Sequence, residues 1–188
     1  MKEILVITAT LLALVGNIPY LRDIIKNKIH PHPFTWLVWS IVSCITFFGA
    51  LAKGAGMAAI PIFVSEVFTI IIFLWSLKNG FKHVKKIDVV FLIFALGGLI
   101  PWYLTSDPTT SVIIAVSIDL LAFVPTVRKT FLHPKSENYI LYAMNVLRHI
   151  CIMFSLDAYN IATTLHSVVM IITNATMTYL IRFRKVFR

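Results

Sequence analysis

Charge is what this chain has least of. Only 13% of its 188 residues are Asp, Glu, Lys or Arg, against about a quarter in a soluble globular domain. Acids are scarcer still, 8 against 17 Lys and Arg. The formal charge of +9 would suit a nucleic-acid binder, but the bases sit in short clusters between long apolar runs. That is the pattern of membrane orientation, not of a basic binding face, so nucleic acid is excluded as a partner. The two cysteines, Cys44 and Cys151, fall inside apolar segments without metal-ligand spacing and read as packing residues. There is no HExxH, no phosphate loop and no workable Ser-His-Asp order, so an enzyme and a bound cofactor or metal are not expected. The N-terminus has Lys2 and an apolar stretch Ile4–Val15, but Glu3 cancels Lys2 and no small-x-small cleavage site follows. It reads as a first membrane helix, not a signal peptide.

What is abundant is hydrophobicity, 59% of the residues, in runs that neither alternate nor form one-sided stripes. Seven candidate spans follow: Ile4–Asp23, Phe34–Ala52, Met57–Leu77, Val89–Leu104, Thr109–Val127, Tyr139–Asp157 and Ile161–Ile181. Gly97, Gly98 and Pro101 crowd the fourth. Fourteen of the 17 Lys and Arg fall on one side: Arg22, Lys26 and Lys28; Lys78, Lys82, Lys85 and Lys86; Arg128, Lys129 and Lys135; Arg182, Arg184, Lys185 and Arg188. Lys2 and Lys53 lie on the other side, and Arg148 within the sixth span. The positive-inside rule then places the N-terminus outside and the C-terminus in the cytoplasm of a multi-pass membrane protein. Seven spans also require the two ends to lie on opposite sides, so count and charge agree.

The order of signals repeats. Pro19 and Pro125 each lie near the basic end of an apolar helix, and His32-Pro33 and His133-Pro134 follow each in a basic loop. The expected fold is an all-α membrane protein with seven transmembrane helices in a 3+1+3 arrangement of two parallel three-helix repeats. Residues 1–80 form the first bundle, 81–106 an inverting linker helix, and 107–188 the second bundle with a basic tail.

Ionised or polar groups within such spans are costly and read as functional by default. Asp119 lies mid-span, six residues before Pro125, and is suited to a proton or cation site or to a structural ion pair. Arg148 stays charged and needs an anionic partner or a polar cavity. Asn145, Arg148 and His149 share one helix face. Asp119 is the expected partner of Arg148, with Glu66 the other candidate. Glu66 is expected to face a cavity. His166, on a stripe with Thr163, Met170, Thr173 and Met177, could bind solute, carry a proton or simply pack, and Asn174, which borders the stripe, could bind solute. Trp39 could wall a solute pocket, whereas Trp36, nearer the interface, reads as an anchor. Pro19 and Pro125 remove backbone hydrogen bonds and could act as hinges or fixed bends. His30, His32 and His83 read as part of the basic interface, not as metal ligands.

The 3+1+3 layout, Gly16-Asn17-Ile18-Pro19, Pro19-x-x-Arg22, Pro125-x-x-Arg128 and the acid before Pro125 together resemble the SWEET and PQ-loop superfamily of small membrane transporters. The resemblance covers almost the whole chain in architecture. The Pro-Gln pairs of that superfamily are Pro19-Tyr20 and Pro125-Thr126 here, so both glutamines are replaced. Trp36-x-x-Trp39 resembles a second-helix motif of related vitamin-precursor transporters. The resemblance implies alternating access of two rocking bundles around a central site, with solute between the third helices and proton coupling at Asp119. The expected partners are a small polar solute such as a sugar or amino acid, protons and the lipid bilayer. A homo-oligomer stays open, although two halves in one chain can enclose a site without one. The alternative is a seven-helix receptor or sensor without transport. No span carries a lysine for a retinal Schiff base, and the loops are too short to hold a signalling domain.

Overall fold

The computed structural model describes residues 2–52, 59–105, 108–156, 159 and 161–183, without the side chains of 45–52, 59, 62, 79, 102, 108, 109, 111, 162 and 163. The expectations for Lys53, for Asp157, for the tail residues Arg184, Lys185 and Arg188 and for the Thr163 side chain fall outside the described residues. Among the described residues the protein is a sheet-free, all-α bundle: α1 (Lys2–Ile25), α2 (Pro33–Ala52), α3 (Ala59–Asn79), α4 (Lys86–Gly97), α5 (Leu99–Leu104), α6 (Pro108–Leu132), α7 (Tyr139–Ser155) and α8 (Ile161–Phe183). Two short 3-10 turns, Gly80–His83 and Pro134–Ser136, join α3 to α4 and α6 to α7.

Two helices are long and apolar enough to cross a membrane by length and composition, Lys2–Ile25 and the Thr164–Phe183 part of α8; Pro33–Cys44 and Tyr139–Ser155 are shorter apolar helices. Along α1, Ile4, Ile7, Leu11, Val15 and Ile18 are exposed, while Ala9, Ala13, Gly16, Asn17 and Tyr20 are buried. Over its first five turns the large apolar residues face outward and the small ones inward, the reverse of a soluble amphipathic helix; Tyr20 and Ile24 turn inward at its end.

The small inward residues let α1 and α7 come close. A Cβ built on Gly16 would sit 3.0 Å from Cβ of Met144 and 3.5 Å from the Leu141 carbonyl oxygen. Helix α1 also packs on α3, and α3 on α2; α6 packs on α8, and α8 on α7; α2 meets α6 as α1 meets α7. Each third helix therefore lies between the two that precede it in the chain. Helix α4 covers α6 and α2. It ends at Gly98, where an added Cβ would lie 2.7 Å from Ile118 Cγ1, so the break from α4 to α5 allows contact with α6.

The boundaries correct two expectations. Helix α6 continues past Val127 to Leu132, so Arg128 and Lys129 lie on a helix and not in a loop. Trp36 is no interfacial anchor: it is 3% exposed, with its ring 5.6 Å from Tyr20 and 5.2 Å from Trp39. It joins Tyr20, Ile24, Ile72, Phe123, Leu141, Tyr142 and Met177 in one core cluster near the basic ends of the helices.

Candidate functional site

Above that cluster the helices enclose two connected chambers. The inner one holds about 100 Å³ and is lined by Asn17 of α1, Trp36, Trp39 and Ser43 of α2, Ser65 and Thr69 of α3, Asp119 of α6, Asn145, Arg148 and His149 of α7, and His166, Met170 and Asn174 of α8. The outer one holds about 320 Å³, shares Ser43, Ser65, Asp119, Arg148, His149 and His166, and adds Glu66, Pro61, Val112 and Ile152. Pro61 and Val112 lie near the starts of α3 and α6 and Ile152 near the end of α7. The outer chamber therefore extends toward the end of the bundle opposite the basic loops. Of the residues expected at a site, Trp39, Asp119, Asn145, Arg148, His166 and Asn174 meet in the inner chamber and Glu66 in the outer. Pro19 and Pro125 line neither; both lie inside continuous helices.

The contacts within the chambers differ from expectation at the centre. Asp119 and Arg148 form no ion pair. Asp119 is 5% exposed and its Oδ2 lies 3.5 Å from His166 Nε2. The reason is topological: α6 packs on α8, whereas the expectation took consecutive helices as neighbours. Arg148 donates to Ser65 Oγ, with Nη2 3.3 Å from His149 Nε2, and its Nε has no partner. Glu66, the other candidate for Arg148, is 4% exposed, and its Oε1 accepts from Cys44 Sγ at 3.4 Å, while Oε2 has no partner. Cys44 is therefore a hydrogen-bond donor as well as a packing residue. Asn145 Nδ2 donates to Asn174 Oδ1 at 3.3 Å, which ties α7 to α8 at this depth. His149 Nδ1 is 3.3 Å from Ser167 Oγ, and its ring meets that of His166 edge-on at 5.5 Å.

The basic end carries two buried polar centres that the sequence reading passed over. In one, Asp88 is fully buried. It accepts two hydrogen bonds from Arg128, the Nε bond at 2.9 Å, and one from the Lys85 N–H at 2.7 Å, and it lies 3.3 Å from His32 Nε2. Arg128 also donates to the His83 carbonyl at 2.8 Å. Burial raises the Asp88 carboxyl, but the Arg128 and Lys85 hydrogen bonds and the neighbouring charges outweigh it and hold the group below its ordinary value. Burial dominates at His32 and takes it down to about 4, against the pull of Asp88. His83 and His30 are also lowered, first by burial and then by nearby cationic groups, Lys129 and Lys82 among them.

In the other centre, Glu137 accepts from Lys129 Nζ, from Tyr20 Oη at 2.6 Å and from Tyr142 Oη at 3.2 Å, and Lys129 also donates to the His30 carbonyl. All four side chains are buried. The signal for both centres was present: Asp88 and Glu137 are isolated acids in otherwise basic connections, and a lone acid there needs a counter-charge.

Tyr20 and Thr126, the residues that follow Pro19 and Pro125, are both fully buried and both bonded across the bundle. Tyr20 of α1 reaches Glu137. Thr126 Oγ1 of α6 donates to Thr35 Oγ1 of α2 at 2.9 Å, and Thr35 donates to the Ala122 carbonyl at 2.5 Å. Below the inner chamber, then, residues 1–80 and 107–188 are fastened by hydrogen bonds on both sides.

Among the described residues no group of three or more His, Cys, Asp or Glu could hold a metal ion. No family model matches this sequence, no curated protein matches it, and no solved structure matches the fold.

Proposed function

We propose that the chain spans a membrane seven times, with α4 and α5 together as the fourth span, and moves a small polar solute by alternating access. Residues 1–80 and 107–188 form the two parallel units, 81–106 the inverting segment, and the SWEET-like relationship of the sequence analysis is part of this proposal. The helix pairing supports it: α1, α3 and α2 pack in the same order as α6, α8 and α7, and the contacts between units, α1 with α7 and α2 with α6, are equivalent. The basic loops support an outside N-terminus and a cytoplasmic C-terminus.

The observation that carries the reading is the cavity. It brings Asp119, Asn145, Arg148, His166 and Asn174 together among apolar walls, extends toward one end and is closed at the other by bonds between residues 1–80 and 107–188. A structural ion pair would fill its own space. Here Asp119, Arg148 and Glu66 instead surround an open volume. In this proposal Asp119 and His166 form the proton-responsive pair, Arg148, Asn145, Asn174 and Trp39 hold the solute, Glu66 lines its approach, and Pro19 and Pro125 allow the first helix of each unit to bend.

The test is flux. Purified protein in liposomes is given hexoses, disaccharides, neutral and basic amino acids and small organic acids, with and without an inward proton gradient. Uptake that the gradient drives and Asp119→Asn abolishes is the expected result. Uptake indifferent to both would leave a facilitator with a structural Asp119. Folded protein that moves no solute contradicts the transporter reading.

A further inference from the structure

The pairing of polar groups in the cavity narrows the solute. Arg148 lines both chambers, and no acidic side chain among the described residues lies within ion-pair distance of it. Its protein contacts are a hydroxyl and an imidazole, Ser65 and His149, and its buried Nε has none. A half-buried guanidinium with a buried, unpartnered Nε and no carboxylate is a costly arrangement. Two acids are near enough to line the same space, and neither is used for it. Asp119 is turned to His166, and Glu66 lines only the outer chamber, with one oxygen on Cys44.

The other buried polar atoms without a partner in the inner chamber's lining are also donors, Trp36 Nε1 and Trp39 Nε1. Asn145 and Asn174 spend amide groups on each other and on the Met170 carbonyl. The inner chamber thus sets Arg148, unpaired by any carboxylate, and spare N–H donors against walls of Trp39, Leu141 and Met170, with Asp119 turned to His166.

We propose that this cavity binds a small organic anion, with its carboxylate on Arg148 and Trp39 Nε1 and an uncharged, apolar or aromatic body along Trp39, Leu141 and Met170. A planar guanidinium suits a carboxylate better than it suits a hydroxyl or an amine. The inference rests on the transporter reading for its purpose but not for its test. The inner chamber's volume, about 100 Å³, fits the head of a small acid, and the outer chamber has room for the rest.

The experiment is binding, not flux. Thermal melts of the detergent-purified protein are recorded with matched carboxylate and amide pairs: lactate and lactamide, benzoate and benzamide, nicotinate and nicotinamide. At least one acid should raise Tm saturably while its amide does not, since a ligand that binds only the folded state stabilises it. In Arg148→Gln its affinity should fall by about tenfold or more, and Arg148→Lys should retain part of it. Amides as effective as the acids, acids equally effective on Arg148→Gln, or no acid effective at millimolar concentration would each overturn the proposal. If Arg148→Gln does not fold, the acid-against-amide comparison on the native protein decides alone. An acid that binds but is not transported would leave this site standing and sink the transporter reading. A neutral sugar transported without any acid binding would do the reverse.

Discussion

Tyr20 Oη lies 2.6 Å from Glu137 Oε2, a hydrogen bond between residues 117 apart in sequence that fastens α1 to the connection entering α7. It is made by the residue after Pro19. The residue after Pro125, Thr126, makes the corresponding bond to Thr35. These two bonds close the basic end beneath the cavity.

Tyr20→Phe keeps the ring on Trp36 and removes only the donor. The Glu137 carboxylate retains Lys129 and Tyr142, so the loss should be about 1.5–3 kcal/mol, as for hydrogen bonds to charged groups. A double-mutant cycle with Glu137→Gln should give a coupling of about 0.5–3 kcal/mol. Zero coupling would mean that the two residues act independently.

Lys129 and Glu137 are a fully buried ion pair. Lys129→Met strands Glu137 and should cost about 3–5 kcal/mol. Lys129→Met with Glu137→Gln removes both charges and should recover much of that loss. Chemical or thermal denaturation in detergent measures both. A double variant worse than the single would contradict the assignment.

Gly16 is needed for the contact of α1 with α7. The space for a Cβ at 3.0 Å from Met144 is tight, and a branched side chain has none. Gly16→Val should lower stability by about 1–3 kcal/mol through overpacking, and Met144→Ala in the same chain should restore part of it. A fully stable Gly16→Val would show that α1 and α7 are not in close contact.

These residues also mark what the sequence displayed and what it hid. Long apolar runs broken by basic clusters placed the described helices to within a few residues at most ends, except that the expected fourth span is two helices, α4 and α5. They also brought Trp39, Asp119, Asn145, Arg148, His166 and Asn174 to one cavity, since a polar side chain in such a helix has only an interior to face. Pairing was not visible. Asp119 meets His166 because α8 packs on both α6 and α7, as α3 does on α1 and α2, and no local signal encodes that order. Asp88 and Glu137 were overlooked because an acid in a basic loop looks solvated. Lys129, wholly buried, had been counted among the basic loop charges.

Acid should loosen the basic end. His32 is fully buried, its folded-state value taken down to about 4, and His30 and His83 are lowered too. Their rings cluster with His133, His30 and His83 at 6.2 Å and His83 and His133 at 4.8 Å, beside Lys82, Lys129 and Arg128. A histidine whose folded value is depressed binds fewer protons folded than unfolded, so stability rises with pH across that window. The stabilisation is present above the unfolded value near 6.5 and is lost as pH falls from there toward 4. Melts at pH 7.5 and 5 should therefore show a lower Tm at pH 5, and His32→Asn should flatten the difference. An equal or higher Tm at pH 5 in the native protein would contradict it.

The most direct measurement concerns the closure of the basic end. With Cys44 and Cys151 replaced, Thr35→Cys and Thr126→Cys put two thiols where the hydroxyls lie 2.9 Å apart. Flux in liposomes is then compared before and after oxidation, and after reduction. Alternating access requires these residues to separate in each cycle, so the cross-linked protein should be inactive and the reduced protein active again. Undiminished flux through the cross-linked protein would contradict movement of the two units about the cavity.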